Sequence, residues 1–156
     1  MIKSVIVCDK RRIKGMLTGD WANPYPNCKY AVISIYTRSN DIFFIEATIN
    51  AFKEMGMLDQ LSLQFWDVDG KDKEKILAQY PHAVFFDKTH AVKIIDFVQE
   101  LNKKEEDIGL IVHCDAGISR SGAAGMFITE YLGLDVNYPR INSWACLVAG
   151  TKRLGG

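Results

Sequence analysis

Cys114 and Arg120 are separated by five residues in the run HCDAGISRSG (113–122), a spacing suited to nucleophilic attack on phosphorus. A loop of that size closing onto a helix N-terminus can turn its backbone N–H groups inward as an anion nest. The helix dipole there also favours negative charge. The thiolate is the nucleophilic form of cysteine, and an electropositive nest favours it. Arg120 can then take two equatorial oxygens of a phosphoryl group with its planar fork, which a lysine cannot copy. Gly117 suits the tight turn such a loop needs. Cys114 could instead be an ordinary buried cysteine at a strand end. Arg120, Gly117 and Ser121 at fitting positions argue against that.

The elements that must hold this loop are legible on either side of it. Residues 108–113, IGLIVH, form a continuous apolar run of the kind a strand buried on both faces shows. Residues 121–132 begin with small side chains, continue with Met126, Ile128, Tyr131 and Leu132, and end at Gly133, which reads as a helix with its C-cap. Further out, residues 4–8, 30–36 and 61–66 read as strands, and 46–57 and 89–102 as helices. The last of these places Ala91, Ile94, Ile95, Val98 and Leu101 on one face, with Asp87 or Thr89 as N-cap. Residues 71–82 read as charged loop with some helix, and 141–152 as a closing helix. Strands alternating with helices predict an α/β fold, a central mainly parallel sheet of four to five strands flanked by helices.

The chain has 156 residues, 48% hydrophobic, which fits one domain spanning 1–156. Nineteen basic and nineteen acidic residues balance, so no global field favours nucleic acid or an anionic membrane surface. The N-terminal apolar stretch is too short for a secretory signal, and no segment approaches the roughly 18 apolar residues of a membrane span. A cytoplasmic protein is expected. Cys8, Cys28 and Cys146 read as small core residues, or as redox partners able to form a protective disulfide with Cys114. The basic run from Lys10 to Lys14 reads either as a solvated patch or as a rim of the active site. His90 reads as a surface residue at a helix start.

The Cys-x5-Arg-Ser loop, with its preceding His113, resembles the signature of the protein tyrosine phosphatase superfamily, particularly its small dual-specificity branch. Weaker likeness runs from the strand at 30–36 through Phe65, Trp66, Asp67 and Val68 to about Leu134. The resemblance implies a phosphatase fold and a metal-independent, cofactor-free phosphomonoesterase working through a phosphocysteine. Cys114 would be the nucleophile and Arg120 the phosphate clamp. Asp115, Ala116, Gly117, Ile118, Ser119 and Arg120 would supply the backbone amides that hold phosphate. Ser121 would donate to the departing sulfur, and His113 would hold loop and thiolate in place from behind.

The resemblance also implies an aspartate on a separate loop that protonates the leaving group and then deprotonates water. Asp67, Asp69 and Asp87 are candidates. Phe65-Trp66-Asp67 resembles the strand-end aspartate of small phosphatases, which favours Asp67. It stands 47 residues before Cys114, farther than is usual in the family, and residues 69–82 read as an insertion that explains the gap. The implied partner is a phosphoprotein bearing phosphotyrosine, with phosphoserine and phosphothreonine as further targets, acted on by a monomer. A phosphoinositide or RNA 5′-phosphate is the alternative substrate, disfavoured by the negative Asp115 in the loop. A phosphate-binding module without turnover is the alternative from another class.

Overall fold

The computed structural model describes residues 1–18, 28–38, 41–115, 119–137 and 148–150. Their elements run β1 (Ile2–Cys8), α1 (Lys10–Thr18), β2 (Lys29–Tyr36), α2 (Ile42–Glu54), β3 (Asp59–Gln64), a short 3₁₀ turn (Gly70–Asp72), α3 (Lys73–Gln79), α4 (Lys88–Asn102), β4 (Ile108–His113), α5 (Arg120–Leu132), β5 (Asp135–Asn137) and β6 (Val148–Gly150). The sheet order is β3-β2-β4-β1-β6-β5. Four strands, β3, β2, β4 and β1, are parallel. The short β6 and β5 extend the β1 edge antiparallel.

The expected mainly parallel α/β sheet is therefore present: among the described residues its parallel centre has four strands, and the short β6 and β5 bring the sheet to six. Alternation along the buried strands sorts side chains to two layers. Val5, Val7, Ala31, Ile33, Ile35, Leu110, Val112 and Cys114 pack with Ile94, Val98 and Leu101 of α4 and Ala124 and Ile128 of α5. On the other face Ile6, Cys8, Val32 and Ile111 pack with Ile13 of α1 and Phe52 of α2. This is a helix–sheet–helix sandwich, the arrangement that covers both faces of a parallel sheet.

Register brings the carboxyl ends of the parallel strands level, with Cys8 and Ser34 both opposite His113 and Tyr36 opposite Gln64. β4 lies between β1 and β2, and α5, which follows it, lies with α4 on the opposite face from α1 and α2. The loop after β4 thus opens at a switch point of the sheet, where open α/β folds place ligands. Gly125 lets α5 approach this close, because a Cβ there would stand 2.3 Å from Val7 Cγ2. Gly133 ends α5 in the left-handed region, at φ 64°, as its C-cap.

Two sequence expectations are corrected. Residues 148–150 pair with β1 as a strand instead of continuing a helix from 141, the remainder of which lies outside the described residues. The run after Asp9 is the helix α1, opened by Asp9 Oδ1 accepting from the Arg12 amide at 2.8 Å, and is not merely a solvated basic patch.

Candidate active site

β4 delivers Cys114 to the carboxyl edge of the sheet, and α5 begins six residues later with Arg120 and Ser121. Cys114 is 2% exposed and Ser121 fully buried, and their Sγ and Oγ share a hydrogen bond of 3.1 Å. A hydroxyl in that position can donate to a thiolate. Ala116, Gly117 and Ile118 lie outside the described residues, so the nest expected from residues 115–120 is described only at its two ends.

Arg120 is buried at 9% exposure and anchored on one side. Its Nη1 donates to Thr37 Oγ1 at 2.7 Å and to the Phe65 carbonyl at 2.9 Å, tying the start of α5 to the ends of β2 and β3. Nη2 stands 3.5 Å from Asp115 Oδ2, and Nε has no hydrogen-bond partner among the described residues. A buried guanidinium N–H without a partner is costly. The Nε–Nη2 edge is the side-on face that takes two anion oxygens at once.

Asp115 does not stand in the loop as a bare negative charge. Its carboxylate is ion-paired with Lys10 of α1, which also stands 3.8 Å from Asp41. Lys10 therefore belongs to the rim of the site, the second of the two readings its sequence allowed. Thr37, by contrast, carried no sequence signal, because its role comes only from the register of β2 against β3.

The three candidate acids are separated by their partners. Asp67 is exposed, and its Oδ1 accepts from Ser119 Oγ at 2.7 Å, across 52 residues of chain. Ser119, at the N-cap position of α5, makes no side-chain cap bond. Asp69 accepts from the Lys71 amide and opens the 3₁₀ turn. Asp87 caps α4, accepting from the amides of Thr89 and His90. Among the described residues, Asp67 alone of the three bonds to the Cys114 loop. Its segment is held by Phe65 N–H to the Tyr36 carbonyl and Trp66 N–H to the Val84 carbonyl, at 3.1 and 2.7 Å. His90 adds a further tie by donating from Nε2 to the Gln64 carbonyl at 2.9 Å, a positioning role beyond that of a surface helix-start residue.

His113 points to the α1–α2 face and shares a 2.6 Å hydrogen bond with Ser34 Oγ on β2. It braces the end of β4 against β2. Burial first, then the charge of Lys10, push its pKa from 6.5 down to about 4, against an opposing pull from Asp115. Between those values the unfolded chain binds a proton that the folded chain excludes. Stability is full above pH 6.5, falls as pH drops towards 4, and the loss levels off at about 3 kcal/mol. His113→Gln should flatten this slope in urea unfolding between pH 7 and 4. An unchanged slope would place the titration elsewhere.

The other cysteines are poorly placed to bridge Cys114. Cys8 packs on the α1–α2 face and Cys114 on the α4–α5 face. Cys28 precedes β2 at the amino edge of the sheet, on the order of 20 Å from the carboxyl edge by strand rise, far beyond disulfide reach. Burial, then the Asp107 carboxylate, also push the Cys28 thiol up, against a lowering by Lys3. Cys146 lies outside the described residues. Among the described residues no group of three His, Cys, Asp or Glu side chains is placed to hold a metal ion, and no helix is long and apolar enough to cross a membrane. Comparison with protein-family models, with curated proteins and with solved structures gives no match.

Proposed function

We propose that this chain is a cysteine-dependent phosphatase with the fold and chemistry of the dual-specificity enzymes its loop resembles, acting in the cytoplasm as a monomer on phosphotyrosine and then phosphoserine or phosphothreonine in proteins. The observation that carries the reading is the Ser119–Asp67 hydrogen bond, which brings an exposed carboxylate to the loop that holds Cys114 and Arg120.

The roles follow from that arrangement. The Cys114 thiolate attacks phosphorus, the ester P–O bond breaks, and the leaving oxygen takes the proton of Asp67. Arg120 holds two equatorial oxygens through Nε and Nη2. Water then attacks the phosphocysteine and gives its proton to the Asp67 carboxylate. Phosphate leaves, and Ser121 donates to the sulfur as its thiolate returns.

Lys10 bears on substrate choice. Because it compensates Asp115, that carboxylate no longer argues by itself against a multiply charged headgroup. A phosphoinositide or an RNA 5′-phosphate is therefore the competing class. With chelator present, rates on a phosphotyrosine peptide should exceed those on a phosphoinositide and on a triphosphate-ended RNA. A preference for either of the last two would overturn the protein substrate. Phosphopeptide binding without any hydrolysis would instead support a recognition module.

A further inference from the structure

A mostly apolar cleft of about 520 Å³ opens beside the proposed catalytic cluster, and Asp67, Ser119 and Arg120 are part of its lining. Its walls are Phe65, Trp66, Phe85, Phe86, Ile94 and Phe127. Most of these come from segments flanking residues 69–82, the stretch that lengthens the chain between Asp67 and Cys114. Phe86 and Phe127 are 51% and 42% exposed, so aromatic surface stands open to solvent at the cleft. Lys73 is the one lysine on the lining, and its Nζ sits 5.1 Å from the centre of the Phe85 ring.

Such a cleft has the size and the chemistry of a ligand pocket, mostly apolar with a few polar groups. Three of those polar residues, Asp67, Ser119 and Arg120, belong to the cluster proposed to act on the phosphoryl group and its leaving oxygen. An occupant of the cleft is therefore attached to, or next to, the phosphoryl group. Two of the wall rings, Phe65 and Phe86, meet edge to face, centred 5.1 Å apart at 72°. Aromatic groups prefer to meet one another in that way.

We infer that the cleft is a specificity subsite that takes an aromatic side chain of the substrate protein, adjacent in sequence to the phosphorylated residue. This rests on the phosphatase reading and deepens it. Phe127 contributes from the exposed side of α5 and Phe85 and Phe86 from the segment before α4, so the subsite is built from the segments that flank the insertion together with α5.

The test uses two phosphotyrosine peptides that differ only in a flanking Phe or Ser, and two readouts. Wild-type kcat/KM should favour the Phe peptide about tenfold. Cys114→Ser should bind the Phe peptide tighter by a similar factor. Phe127→Ala should collapse both preferences towards one. Equal kcat/KM and equal binding for the two peptides would overturn the subsite while leaving the phosphatase reading intact. Tighter binding of the Phe peptide without hydrolysis of either would keep the subsite and remove the phosphatase reading. Faster turnover of a single-chain lipid phosphate than of both peptides would also overturn it, assigning the cleft to an acyl chain.

Discussion

Arg120→Lys should lower kcat/KM on a phosphotyrosine peptide by about a thousandfold while the protein remains folded. Removing one preorganised donor to a developing oxyanion costs roughly 10²–10³ in rate, and lysine would lose at least one of the pair. The lysine ammonium is a single point charge, and cannot keep both Nη1 anchors, to Thr37 and Phe65, and also present a side-on pair of N–H groups. Thr37→Val removes one anchor only and should cost about tenfold, through loss of orientation rather than of a contact to phosphate. An Arg120→Lys enzyme that kept a tenth of its activity would make the guanidinium a strut between α5 and the strand ends. Circular dichroism and a melting curve on each variant separate loss of fold from loss of function.

Asp67→Asn should lower turnover of a peptide or alkyl phosphate by about two orders of magnitude. The loss should be much smaller on p-nitrophenyl phosphate, whose leaving group departs without a proton. Asp69→Asn should change little, because that carboxylate is spent on the Lys71 amide. Ser119→Ala releases Asp67 from its 2.7 Å partner and should raise the cost of placing the acid, lowering kcat by about tenfold with KM little changed. Should Asp69→Asn collapse activity and Asp67→Asn leave it near normal, the proton donor is Asp69.

The legible parts of this chain are those where local pattern and tertiary role agree. The apolar run at 108–113 and the small-to-large helix ending at Gly133 predicted β4 and α5, because a buried parallel strand and a capped helix leave their signature in residue type. Asp67 and Asp69 both follow a strand, and the likeness of Phe65-Trp66-Asp67 to the strand-end aspartate of small phosphatases favours Asp67. The distinction from Asp69 became physical only when Ser119 and the Lys71 amide were seen to take one carboxylate each.

What the sequence hid depends on distant chain. Helix α1 opens on three basic residues, whose charge obscures the helical spacing of Ile13, Met16 and Leu17 at i, i+3 and i+4. Asp9 at its start is a further signal. Residues 148–150 have weak local preference, and pairing to β1 decides their conformation. Thr37, Val84 and His90 support the site through strand register and a capping box, neither of which residue type reveals.

The proposed mechanism rests on a covalent phosphocysteine at residue 114. Rapid acid quench of wild type with a ³²P-labelled phosphotyrosine peptide should trap radiolabel on the protein in the presence of chelator, released by iodine as expected for a thiophosphate ester. Cys114→Ser should bind the same peptide, trap no thiol-linked label and release no phosphate. Phosphate release that survives Cys114→Ser, or label that maps to another residue, would contradict the mechanism.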